Sequence, residues 1–257
     1  MSTPTAANKA VVDAAITTVL TGRDLEAIPT YFASGLTQHS TRIAAGIEGL
    51  QDFVRAQPDG VVYEPARTFA QDDLVLTHGV YRSQAAPDLV AFELWRLADG
   101  KIVEHWDALQ PEPARTVSGR TMVDGPTEVT RPEQSAASGA LVQRFVQQVL
   151  VEGDVSELTD YFDNGRYAQH NPQMGDDLSG LGEALTALAA QGVAMTYTDV
   201  HRTIAEGEFV FIQAQGHFGD QATAFYDLFR VEDDKIAEHW DVVFPIQDTL
   251  PHDNGLF

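Results

Sequence analysis

The sequence predicts an α+β protein made of two tandem copies of one domain, each copy three helices followed by a four-stranded antiparallel meander. Three observations carry this reading. Glu93-Leu94-Trp95-Arg96-Leu97 leads into Lys101-Ile102-Val103-Glu104-His105-Trp106-Asp107, and Asp227-Leu228-Phe229-Arg230-Val231 leads into Lys235-Ile236-Ala237-Glu238-His239-Trp240-Asp241, at a constant offset of 134 residues. Other landmarks recur in the same order: Tyr31-Phe32 with Tyr161-Phe162, Gln38-His39 with Gln169-His170, Gly49-Leu50 with Gly180-Leu181, Arg67-Thr68 with Arg202-Thr203, and Gly79 with Gly216. Within each copy helical periodicity comes first and strand-like stretches follow. A period this long marks a duplicated domain and not a solenoid repeat.

In the first copy, helices are expected near 6–20, 24–33 and 46–56, then strands near 61–70, 73–83, 89–97 and 101–110. In the second, Leu141, Phe145 and Val149, with Val142, Val146 and Leu150, recur at helical spacing. Gly153 ends that helix, Asp154 caps the next through Tyr161, and Ser179 caps a third whose Leu181, Leu185 and Leu188 share a face. Strands follow at about 193–205, 208–218, 222–231 and 235–244. Gln38-His39 and Gln169-His170 are candidates for a short additional strand. The segment 112–135, with Pro113, Gly119, Gly125, Pro126 and Pro132, reads as a linker, which places the domains at 1–111 and 136–257.

Composition excludes several functions. The net charge is −22, distributed as −7 up to residue 130 (10 Lys+Arg, 17 Asp+Glu) and −15 beyond it (6 and 21), so nucleic acid and anionic membranes are poor partners. Cysteine is absent, which removes disulfides and thiol chemistry and suits a reducing cytoplasm. No apolar run is long enough to span a membrane, and Met1 to Lys9 has no secretory pattern. The expected location is the cytoplasm.

Chemistry concentrates on the last two strands of each copy. Reading Glu232-Asp233-Asp234 as a three-residue hairpin loop sets Val231 opposite Lys235, Asp227 opposite His239 and Phe225 opposite Asp241. Side chains alternate across a sheet, so Phe225, Asp227, Phe229, Ala237, His239 and Asp241 share one face. In the first copy Glu93 then faces His105. A carboxyl group in an apolar pocket is pushed towards neutrality and a facing imidazolium opposes this, so such a pair suits general acid–base work. Trp106 and Trp240 fall on the other face and read as core. His201 and His252 have no constellation around them. No His-x-His or His-Glu-x-x-His spacing appears and no third convergent ligand is evident, so neither a metal nor any other cofactor is expected.

With Gln169-His170-Asn171-Pro172, Gly207 before a strand, and Asp227 to Asp241 in hand, the chain resembles the SnoaL-like polyketide cyclase family of the nuclear transport factor 2-like superfamily. The linker residues Gly119 to Val129 share the resemblance, which covers nearly the whole chain. It implies two cystatin-like, nuclear transport factor 2-like cones, each a curved sheet with helices around a pocket. It implies cofactor-independent chemistry on a small, largely apolar carbonyl compound, by aldol-type cyclisation or isomerisation; a hydrolase or dehydratase, or a non-catalytic binding module, are the alternatives the same fold allows. The resemblance implies an acidic residue on the strand of Asp227 with a histidine on the preceding strand, a position His217 fits. Together with the shared face this makes Asp227 the expected base or acid, tuned by His217 and His239, with His170, Asn171, Asp241, Phe225 and Phe229 as expected substrate contacts. The first-domain counterparts are His39, Glu93, His105 and Asp107. Because Val80 stands where the second copy has His217 and Ser40 replaces Asn171, the second domain is expected to hold the more complete site. Relatives that pair through the sheet imply an intramolecular pseudo-dimer, with further oligomerisation open.

Overall fold

The computed structural model describes residues 4–257, so the first three residues of the expected first domain lie outside the described part. The chain divides into two compact units, residues 1–112 with 247–257, and residues 113–246. These boundaries depart from the expected ones. The stretch read as a linker belongs to the second unit, and the last eleven residues belong to the first rather than to 136–257.

The first unit opens with α1 (Pro4–Ala15), which runs on as a π-helical turn over Ile16–Thr21. Val12, Ala15, Ile16, Val19 and Leu20 form its buried stripe, at the spacing an amphipathic helix requires. A 3₁₀ turn (Leu25–Ala27), capped by the Asp24 carboxylate, leads through α2 (Ile28–Tyr31) into β1 (Phe32–Gln38). Then follow α3 (Gly46–Ala56), β2 (Val62–Gln71), β3 (Leu74–Arg82), β4 (Leu89–Ala98) and β5 (Lys101–Pro111). The sheet order is β1-β5-β4-β3-β2, so the Gln38 segment is a full fifth strand, and it runs parallel to β5.

The second unit repeats this plan. It has α4 (Ser135–Phe145) with a π-helical turn over Val146–Val151, a 3₁₀ turn (Leu158–Tyr161), β6 (Ala168–Gln169) and α5 (Asp177–Ala190). The strands β7 (Met195–Glu206), β8 (Phe209–Phe218), β9 (Gln221–Glu232) and β10 (Lys235–Pro245) complete it, in the order β6-β10-β9-β8-β7. The third helix starts at Asp177 and not at a Ser179 cap. Its neighbour Asp176 is taken by Arg120 and by the Gln169 amide. Helices α3 and α5 are not equivalent in packing. Leu50 and Val54 of α3 are buried, whereas α5 has no buried residue and Leu185 is exposed.

Gly79 and Gly216 show why these landmarks recur. A Cβ on Gly79 would lie 2.2 Å from the Glu64 carbonyl oxygen, and one on Gly216 would lie 1.8 Å from that of Thr196. Both glycines sit where the neighbouring strand bulges, between Pro65 and Arg67 and between Tyr197 and Asp199. Absence of a side chain lets the two backbones close up, and the bulge bends the sheet.

Candidate functional site

The register of the last hairpin differs from the expected one by two residues. The loop is a two-residue turn, with Asp233 and Asp234 both at positive φ (50° and 58°), as are Asp99 and Gly100 (50° and 74°) in the first unit. A bulge between Ile236 and Glu238 then adds one residue to β10. Asp241 therefore pairs with Asp227, and Phe229 with His239; likewise Asp107 pairs with Glu93, and Trp95 with His105. Ala237 sits at the bulge. A two-residue shift keeps every other side chain on its expected face, so the carboxylates and the histidine still meet, diagonally rather than directly opposite.

In the first unit His105 Nε2 lies 2.6 Å from Glu93 Oε2, and the Tyr81 hydroxyl donates to Glu93 Oε1 at 2.7 Å. Gln38 orients the imidazole. Its Oε1 accepts the backbone N–H groups of His39 and Ser40, both at 3.0 Å, so Oε1 also accepts from His105 Nδ1 at 2.9 Å. A proton therefore lies between His105 Nε2 and Glu93. Trp95 stacks on the ring at 4.0 Å. Asp107 takes the Ser40 hydroxyl at 2.8 Å on Oδ2, while its buried Oδ1 has no partner. Burial, and then the neighbouring Glu93, push the Asp107 carboxyl up to about 6. Burial and Glu93 also raise Tyr81 well above the usual phenol range, which keeps it a neutral donor. These groups line a cavity of about 180 Å³, walled by Leu20, Phe32, Leu36, Leu50 and Leu109.

The second unit rebuilds the arrangement. His239 Nε2 lies 3.1 Å from Asp227 Oδ1, Gln169 Oε1 holds His239 Nδ1 at 3.0 Å, and the Tyr197 hydroxyl reaches both Asp227 oxygens at 3.2 Å. Asn171 Nδ2 donates to Asp241 Oδ2 at 2.7 Å, and Asp241 Oδ1 is buried without a partner. Burial pushes Asp241 up to about 6, against the lowering influence of His239 and with the help of Asp227. Burial disfavours charge on His239, but the hydrogen bond to Asp227 and the two aspartate charges outweigh it and raise its pKa. Phe225 stacks on Tyr197 at 4.2 Å, and the Phe229 ring lies 4.7 Å from that of His239. Asp227, His239 and Asp241 each present a ligand atom within 4.8 Å of the others, so a third convergent ligand does exist, contrary to expectation.

Three expected site residues lie elsewhere. His217 is exposed and pairs with Ala222, whereas Ile212 of the same strand pairs with Asp227. An odd separation of five positions puts His217 on the opposite face, out of reach of Asp227. His170 is fully buried, stacks on Trp240 at 4.7 Å and bonds Glu238 at 2.9 Å. His39 does the same with Trp106 at 4.8 Å and Glu104 at 2.9 Å. Both follow an inward-pointing glutamine, so alternation turns them to the outer face. Sequence reasoning passed over Gln38, Gln169, Tyr81 and Tyr197. The glutamines stood in the repeated Gln-His pair, and Tyr63 and Tyr197 stand 134 residues apart, so part of the signal was present. His252, which seemed isolated, bonds the Ser40 carbonyl at 2.9 Å.

The repeated fold and site agree with the family comparison, in which the SnoaL-like domain model matches residues 12–105 and again 142–239. The chain belongs to the SnoaL-like domain family. Its α+β architecture is that of two tandem cones of this family. Among solved structures, wild-type IdmH from Streptomyces antibioticus is 20% identical over 40% of this chain and 91% of its own, with a TM-score of 0.34. The LEH-like epoxide hydrolase of M. tuberculosis is 16% identical over 42% of this chain and 86% of its own, with a TM-score of 0.36. No curated protein matches the chain. Among the described residues no helix is long and apolar enough to cross a membrane.

Proposed function

We propose that this SnoaL-like chain performs cofactor-independent proton transfer next to the carbonyl of a small, largely apolar compound, as aldol-type cyclisation or isomerisation requires, and that the first unit carries the working site. The observation behind this choice is that Glu93, His105, Tyr81 and Asp107 open onto an apolar cavity of about 180 Å³. This moves the weight from the second domain, expected on its histidines, to the first. Two of those histidines, His170 and His217, do not reach the second unit's carboxylates.

The roles follow from the hydrogen bonds. Glu93 removes the proton α to the carbonyl. Tyr81 and His105 donate to the two Glu93 oxygens and fix the carboxylate, which holds the α-proton it gains as a neutral carboxyl until the proton is returned. The developing enolate oxygen needs a neutral donor in a water-poor site, where such a bond is strongest. Asp107, raised to about 6, is protonated below that pH and there supplies the donor through Oδ1. In the second unit Asp227, His239 and Asp241, with Tyr197, Asn171, Phe225 and Phe229, form the duplicated counterpart.

Hydrogen–deuterium exchange at C2 of 1-indanone in D₂O, followed by proton NMR, tests this reading. Wild type should accelerate exchange over buffer, and Glu93→Gln should lose about 10²–10⁴-fold of it. Binding of the ketone without any exchange above buffer would leave the binding-module reading standing in its place.

A further inference from the structure

The size and lining of the first unit's cavity restrict its ligand more tightly than the reaction class does. A dry protein cavity of roughly 150 Å³ binds one benzene. The first unit's cavity, at about 180 Å³, is slightly larger than that. That is enough for one ring, or two small fused rings, and far too little for a tetracyclic skeleton.

The walls determine the rest. Leu20, Phe32, Leu36, Leu50 and Leu109 offer only apolar contact. At the polar end Tyr81 is joined to Glu93 and Glu93 to His105, Asp107 stands opposite Glu93 on the neighbouring strand, and Arg42 lines the same cavity as its one full cation. Asp107 Oδ1 is buried and unpartnered, so it favours a ligand that brings one polar atom to it. Two carboxyl groups already occupy this end. A ligand anion placed beside them would be repelled by whichever of the two is ionised.

We infer that the first unit's cavity takes an uncharged compound of one or two fused rings, carrying a ketone or hydroxyl oxygen directed at Asp107 and Glu93. This rests on the proposed reading of the site as the working one, but its test is separable from the test of chemistry. Trp95 lines the cavity, so ligand entry reports through its fluorescence in the unaltered protein.

The experiment titrates the full chain with 1-indanone, 2-naphthol, androst-4-ene-3,17-dione and 1-indanone-5-carboxylate, by tryptophan fluorescence and by saturation-transfer NMR. The first two should bind, the steroid should not, and the carboxylate should bind more weakly than 1-indanone. Leu50→Trp, which fills the cavity, should weaken 1-indanone roughly tenfold or more. Binding of the steroid in place of the small ketone, tighter binding of the carboxylate, or no binding of either small probe would overturn the inference. If 1-indanone binds but its C2 protons do not exchange, the size inference stands and the acid–base reading fails. If the steroid alone exchanges, the acid–base reading stands and the size inference fails.

Discussion

Replacing Asp107 by Asn should make the protein more stable at pH 8, although it removes a group from the middle of the site. In the folded state the carboxyl is pushed up from 3.8 to about 6, chiefly by burial. The native state therefore holds this proton more tightly than the unfolded chain does. The sign follows directly. Stability is highest below the unfolded value near 4, falls as pH rises from about 4 to 6, and stays reduced above 6. A shift of about two units at about 1.4 kcal/mol each makes the ionised Asp107 cost about 3 kcal/mol at pH 8. Asparagine keeps an oxygen to accept the Ser40 hydroxyl, now held at 2.8 Å, and needs no charge in the site. The gain should be about 3 kcal/mol at pH 8 and shrink to about 1 kcal/mol at pH 4.5. Urea unfolding of wild type and variant at both pH values measures it. A variant less stable than wild type at pH 8 would refute the reasoning, because it would mean that the ionised carboxylate is held by His105 and Arg42 rather than penalised by burial. Retention of such a destabilising acid is what a site used for proton transfer requires.

Asp241→Asn should show the same pH-dependent gain in the second unit, since Asp241 is also raised to about 6 and its partner Asn171 can still donate, and the same unfolding series reads it. His217→Ala should change stability by less than about 0.5 kcal/mol and leave ketone exchange intact, because the side chain is exposed on the far face; a clear loss of exchange would restore it to the site. Gly216→Ala should destabilise by roughly 1–3 kcal/mol or more, measured by thermal melting, because its Cβ would meet the Thr196 carbonyl oxygen at 1.8 Å. Deleting residues 252–257 should lower the rate of ketone exchange more than it weakens 1-indanone binding, because the lost bonds hold Gln38 and Ser40 rather than the ligand; equal losses in both would point to general unfolding.

The fold was legible because periodicity survives duplication. Each landmark could be checked against its copy, and the face carrying Asp227, His239 and Asp241 follows from alternation alone. The register was not legible. Asp99-Gly100 is the strongest two-residue turn signal a hairpin offers, yet reading the loop as three residues shifted the pairing by one. The bulge between Ile236 and Glu238 shifted it by one more, and nothing in Ile236-Ala237-Glu238 distinguishes a bulge from a regular strand. The two errors summed to two residues and so preserved the faces. His217 failed for the opposite reason. It was placed by resemblance, and parity along β8 excludes it. The weight given to the first unit rests on the cavity beside Glu93, which a sequence does not encode residue by residue. Helix α3 buries Leu50 and Val54 fully in the first unit, whereas α5 has no fully buried residue and packs Leu178 only in part, and no count of histidines anticipates that.

The repeat is longer than the fold it encodes. After its last strand each copy continues into a segment that belongs to the compact unit of the other copy: 113–135 to the second unit, 247–257 to the first. The two segments do the same work at matching positions. The Thr121 carbonyl accepts from His170 Nδ1 at 2.7 Å, and the Gly255 carbonyl, 134 residues later, accepts from His39 Nδ1 at 2.8 Å. Met122 and Leu256, again 134 apart, are the buried anchors beside them. Ser118 bonds the Gln169 carbonyl and Asn254 bonds that of Gln38. Those glutamines are the residues that orient His239 and His105. A chain of contacts therefore runs from each segment through a glutamine to a site histidine and on to its carboxylate. Separating the copies would strip each site of the segment that steadies its glutamine. The tandem arrangement is thus a structural requirement of the two sites, as well as the record of a duplication.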